Sequence, residues 1–133
     1  MTADVAYLDT SAVVKLLVRE GETVALRRWL RRRPRRVASA LLGVELIRAA
    51  RRAGVPKLVV EARRLLGGIT LVGLDTALLD RAAELQPGHL RTLDAIHLAT
   101  ALSLGPELDA VVTYDHRMAE AAATLGLVVA APS

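Results

Sequence analysis

The chain has 133 residues, 53% apolar and 24% charged, with a formal net charge of +4 and a pI near 10.3. That length suits one domain, residues 1–133, large enough to bury a core without staples, and the composition argues against disorder. Absence of Cys excludes disulfides, thiolate chemistry and Cys-built zinc sites, and with Tyr7, Trp29 and Tyr114 as the only aromatics, base stacking is a poor basis for any nucleic-acid binding.

Taken in chain order, Val5 to Leu8 reads as a short buried strand, followed by a helix from Thr10 to about Val18. Gly21 breaks the pattern, and Glu22 to Arg33 reads as a second helix ending before Pro34. Val37-Ala38 is a brief strand, and Ser39 an N-cap for a helix that stops at Gly54. Pro56 opens a helix ending at Gly67-Gly68, then Ile69 to Val72 is a strand, and Asp75 caps a helix reaching Leu85. After the Pro87-Gly88 loop, Leu93 to Leu104 is helical, Ala110 to Thr113 a strand, Arg117 to Leu125 a helix and Leu127 to Val129 a last strand. Four or five apolar strands alternating with helices predict a three-layer α/β/α sandwich around a parallel sheet. No apolar run is long enough to span a membrane and Asp4 interrupts the N-terminus, so a soluble cytoplasmic protein without a signal peptide is expected.

Ligands of open parallel sheets bind beyond the carboxyl ends of the strands, near the point where strand order reverses. Asp9 follows the first strand, Ser39 the second, and Asp115 the strand containing Thr113. Two further acids stand in apolar helical surroundings, Glu45 within Leu41 to Ile47 and Asp94 within Leu93 to Ala99. No Lys or Arg is evidently placed to neutralise all four, so a divalent cation is the natural counter-charge, and oxygen ligands without Cys or paired His favour Mg2+ or Mn2+ over Zn2+.

Each acid also has a plain structural reading. Asp9 and Asp115 suit helix N-caps, and Leu74-Asp75-Thr76 repeats Leu8-Asp9-Thr10 at a position read only as a cap. Thr10, Ser11 and Thr113 either bond a metal-held water or phosphate, or cap helices. His97 and His116 lack a partner at metal-ligand spacing and read as core or surface residues. The run Arg27 to Arg36 is either a solvated helix end or a phosphate-tracking patch, with Arg31, Arg32 and Arg33 as candidate RNA contacts.

At these residues the sequence resembles PIN-domain ribonucleases, in particular VapC-type toxins of prokaryotic toxin–antitoxin pairs. The resemblance is carried by Tyr7 to Leu16, by Ser39 to Arg48 with Glu45, by Leu93 to Ala101 with Asp94, and by Val112-Thr113-Tyr114-Asp115. It runs from about Val5 to Val129, and one departure is Met118, where the family often has an aromatic three residues after the last acid. The resemblance implies a metal-dependent endoribonuclease with Asp9, Asp94 and Asp115 as principal ligands of Mg2+ or Mn2+. Glu45 would bind a second ion or orient the attacking water. It also implies a VapB-type antitoxin as partner, and a homodimer. The alternative is a non-catalytic PIN-like module that binds RNA or antitoxin.

A haloacid-dehalogenase-type phosphatase needs a second Asp where Ser11 stands, and a receiver domain needs a lysine after its last strand, whereas the only lysines are Lys15 and Lys57. No GxGxxG or GxxxxGK[ST] loop occurs.

Overall fold

The apolar run Val5–Leu8 forms β1, and all four residues are buried, as the central strand of a sheet covered on both faces requires. In the computed structural model, which describes residues 3–133, the chain continues through α1 (Thr10–Leu17), α2 (Thr23–Arg31), β2 (Arg35–Ser39), α3 (Ala40–Arg52), α4 (Pro56–Leu66) and β3 (Thr70–Val72). It closes with α5 (Thr76–Glu84), α6 (Thr92–Ser103), β4 (Leu108–Val112), α7 (His116–Thr124) and β5 (Val129–Ala130). The five strands are all parallel, in the order β3-β2-β1-β4-β5.

Alternation along β1 assigns the two outer layers. Ala6 and Leu8 pack with Val13, Leu26, Leu30, Leu42, Leu46 and Ala62, so α1 to α4 cover one face. Tyr7 packs with Ala101 and Val111 on the other face, which carries α5, α6 and α7. Without Phe, the layers close through small residues: Ala95 and Ala99 of α6 meet Ala82 of α5. The sheet grows away from β1 in one direction through β2 and β3, and in the other through β4 and β5. Strand order therefore reverses between β1 and β4, and a crevice opens beyond their carboxyl ends.

The predicted elements are present, with shifted ends. The helix expected over Glu22 to Arg33 spans only Thr23–Arg31: Pro34 has no N–H for the Leu30 carbonyl, which accepts instead from Arg33 N and from the Arg36 guanidinium. The last strand begins at Val129, not Leu127, since Gly126 (φ +81°) turns the chain back on α7 and Leu127 N–H bonds the Ala122 carbonyl. Ser39 is fully buried, ends β2 and caps α3 by accepting from Leu41 N at 3.1 Å. Among the described residues, no helix is long and apolar enough to cross a membrane.

Candidate active site

Four chain segments bring Asp9, Glu45, Asp94 and Asp115 to one pocket of about 360 Å³, which Thr10, Ser11, Arg91 and His97 also line. It lies in the crevice between β1 and β4. The first turns of α1, α6 and α7 end there, so their positive helix ends face the carboxylates.

Asp9 occupies the N-cap position of α1, yet its side chain makes no capping bond. Its Oδ2 accepts instead from Ser11 Oγ at 2.9 Å and Thr113 Oγ1 at 2.8 Å. Both hydroxyls are oriented by the backbone: Tyr114 N donates to Ser11 Oγ and Asp115 N to Thr113 Oγ1. Each hydroxyl therefore accepts one N–H and spends its proton on Asp9. Only 6% of Asp9 is exposed, and its Oδ1 takes no hydrogen bond among the described residues, with His97 Nε2 standing 3.9 Å away. The matching tripeptide around Asp75 behaves as a cap, with Oδ1 accepting from Leu78 N at 2.8 Å. The difference is β4, which sets Thr113 beside Asp9, whereas Asp75 follows the edge strand β3.

Glu45 is reached from the other side. Its Oε1 accepts from Thr10 Oγ1 at 2.6 Å and from His97 Nε2 at 2.8 Å, and Tyr7 Oη lies 2.8 Å from His97 Nδ1. Burial pushes the Glu45 carboxyl up, but the bonds from His97 and Thr10 reverse this and hold it below its ordinary value. Burial, reinforced by the nearby Asp9 charge, drives the Tyr7 hydroxyl far above its ordinary range. The ionised Glu45 carboxylate can only accept, so His97 Nε2 donates to it, and in a neutral imidazole Nδ1 then takes the Tyr7 hydroxyl proton.

Asp94 lies in the first turn of α6 with a side chain 14% exposed, and Asp115 caps α7 through Oδ1, accepting from Arg117 N at 2.9 Å. Arg91 joins the two, with Nε 3.2 Å from Asp94 Oδ2 and Nη2 3.5 Å from Asp115 Oδ2. No Lys or Arg is expected to serve all four acids, and Arg91, three residues before Asp94, serves two of them, Asp94 and Asp115. Repulsion alone therefore does not demand a metal. Among the described residues no three acids or histidines already stand as a closed ligand set.

The donor chemistry nonetheless suits a hard divalent cation. The carboxylates of Asp9, Glu45, Asp94 and Asp115 supply only oxygens, and the two hydroxyl donors of Asp9 both take Oδ2, leaving Oδ1 without a hydrogen bond among the described residues but not sealed from solvent.

The structure also sorts the secondary candidates. Thr10, Ser11 and Thr113 hold the carboxylates rather than standing free for phosphate. His97, expected as a core or surface residue, is buried and also bonds Glu45; its spacing from Asp94 puts both on one face of α6. Arg31, Arg32 and Arg33 are not brought to the pocket. They precede Arg35, which pairs with Val5 at the start of β1, whereas Asp9 follows the end of that strand. Arg33 is moreover engaged, by Asp109 at 2.8 Å and by the Trp29 ring, whose centroid lies 3.7 Å from its guanidinium.

Residues 6–124 match the PIN domain. The chain is 52% identical to Ribonuclease VapC46 of Mycobacterium tuberculosis, over 96% of this chain and 97% of the relative. It is 43% identical to Ribonuclease VapC47 of the same species, over 95% and 96%. Among solved structures, M. tuberculosis VapC20, described as a sarcin-ricin loop cleaving toxin, superimposes with a TM-score of 0.76 at 19% identity, over 96% of this chain and 99% of that one. A toxin–antitoxin complex from Klebsiella pneumoniae gives 0.74 at 21% identity, over 96% and 98%. At those identities the two structures speak for the fold, while the matched domain and the sequence relatives carry the conclusion that the chain belongs to the PIN domain family, alongside the VapC ribonucleases.

Proposed function

We propose that the chain is a metal-dependent endoribonuclease, the toxin of a type II toxin–antitoxin pair, with Mg2+ or Mn2+ held by Asp9, Asp94 and Asp115. The supporting observation is the convergence of four carboxylates from distant segments on one pocket, with Asp9 fixed through one oxygen only. The ribonuclease names of relatives at 52% and 43% identity support the same reading. A bound divalent cation would supply charge neutralisation at a phosphate and a more acidic water at neutral pH.

The protein's own groups do the positioning. Ser11 and Thr113 lock the Asp9 carboxylate so that Oδ1 faces the pocket. Thr10 and His97 saturate Glu45 Oε1 and leave Oε2 to orient the attacking water or to bind a second ion. Because Glu45 is held below its ordinary value, it is ionised at neutral pH and orients that water as a hydrogen-bond acceptor. A VapB-type antitoxin partner, a homodimer and a cytoplasmic setting belong to the same proposal.

The reading is tested by separating binding from cleavage. Asp9→Asn and Asp94→Asn are expected to bind a labelled RNA about as well as wild type and to leave it intact. Wild-type protein that binds RNA but never cuts it in Mg2+ or Mn2+ would favour the non-catalytic module instead.

A further inference from the structure

Among the described residues Arg91 is the one Lys or Arg that lines the acidic pocket, and both of its carboxylate partners, Asp94 and Asp115, belong to the ligand set proposed above. We propose that Arg91 is an RNA-phosphate ligand that rests on Asp94 and Asp115 while the metal is absent and passes to a substrate phosphate when the cation takes those oxygens. The proposal rests on reading this pocket as a metal-dependent RNA site.

Three features support the exchange. The guanidinium side chain is 59% exposed, so its ion pairs are of the weak, solvent-screened kind that a divalent cation displaces readily. Its backbone is fixed: Arg91 is the N-cap of α6, extended at φ −66° and ψ 148°, and its carbonyl accepts from Ala95 N at 2.9 Å. The side chain can therefore swing about a stationary Cα. A second cavity, of about 250 Å³, shares Arg91 and Asp94 with the pocket and continues over His89, Arg117 and Glu120.

Among the described residues no carboxylate pairs with the Arg117 guanidinium, and Arg117 and His89 are exposed. The arginines thus run from the edge of the acidic pocket into the neighbouring cavity, with Glu120 and the shared Asp94 the opposing charges there. A phosphate backbone crossing Arg91 toward Arg117 would meet two guanidiniums, and a planar fork suits phosphate oxygens better than an ammonium does. The arginine run Arg31 to Arg33, by contrast, sits beyond the other end of the strands.

The experiment measures Mn2+ binding without RNA by calorimetry, and RNA binding and KM with Mn2+ present, for wild type, Arg91→Ala, Arg91→Lys and Asp9→Asn. Removing the competing cation in Arg91→Ala is expected to tighten Mn2+ binding about 3- to 10-fold. The same variant should raise KM about 10-fold and lower the salt slope of RNA binding by about one. Arg91→Lys should keep a near-wild-type Mn2+ affinity yet lose part of the RNA affinity, since it retains charge without the fork. Unchanged or weaker Mn2+ binding by Arg91→Ala overturns the exchange, and an unchanged KM and salt slope overturns the phosphate contact. Those outcomes differ from failure of the metal reading, in which wild type and Asp9→Asn would be equally unable to bind Mn2+; that result removes this proposal too.

Discussion

Thr113→Val removes one oxygen from the pocket's frame at almost constant shape. Thr113 is 1% exposed; its hydroxyl donates to Asp9 Oδ2 at 2.8 Å and accepts from Asp115 N at 3.1 Å. A hydrogen bond to a charged group contributes about 1.5–3 kcal/mol, and an orphaned buried N–H costs about 1–3 kcal/mol. Ser11 still holds Asp9, and the new methyl returns about 0.8 kcal/mol of burial, so the expected net loss is about 2–5 kcal/mol. For a chain of 133 residues that lowers Tm by about 7–18 °C. Calorimetric melting in EDTA reads the stability, and RNA cleavage in Mg2+ should fall at least about 10-fold as Asp9 loses its alignment. Thr113→Ser, which keeps the hydroxyl, should recover most of both. A Thr113→Val protein melting within about 2 °C of wild type and cleaving at full rate would refute the hydroxyl frame.

Four further outcomes follow from named contacts. Asp9→Asn relieves repulsion among the acids, so in EDTA it should melt no lower than wild type, while Mg2+-dependent cleavage falls at least about 100-fold. Arg33→Ala, which loses the Asp109 pair and the Trp29 stack, should cost about 1–2 kcal/mol by denaturant melt; Arg31→Ala and Arg32→Ala should each cost under about 0.5 kcal/mol and leave cleavage unchanged. Gly126→Ala forces a side chain onto a φ of +81° and should cost about 1 kcal/mol, measured the same way. Glu45 has its carboxyl lowered from 4.5 on folding, so its contribution is complete above that pH and is lost as pH falls through the lower folded value. The melting difference between wild type and Glu45→Gln, taken in EDTA, should therefore shrink on going from neutral to strongly acid solution; a constant difference would contradict that coupling.

Much of the fold is readable from the alternation of apolar strands with capped helices, because Gly54, Gly67 and Pro56 punctuate the chain where the helices end or begin. Element ends are harder: Pro34 announces that α2 stops, but not that the chain leaves the helix already at Arg31, with Arg33 N closing a tighter turn on the Leu30 carbonyl. Glu45 and Asp94 are legible because a carboxylate in an apolar run needs an explanation, and Asp9 and Asp115 because they follow strands at the carboxyl edge of the sheet. Their supports are less so. Whether Asp9 caps its helix or faces a pocket depends on Thr113, more than a hundred positions away in sequence, and the identical local motif at Asp75 takes the other course. Arg91 hides in a loop, and only its spacing of three before Asp94 hints at the pair. The arginine run draws the eye by density, yet strand direction sets it at the far end of the sheet.

The central claim is that the four-carboxylate pocket between β1 and β4 works by holding a divalent cation. It is tested most directly by stripping the purified protein with EDTA and following hydrolysis of a labelled RNA as Mg2+ is returned, beside Asp9→Asn. Cleavage that is absent in EDTA, rises saturably with Mg2+ in wild type and stays absent in Asp9→Asn is the predicted result. Cleavage that persists in EDTA, or that Asp9→Asn performs at the wild-type rate, would contradict it.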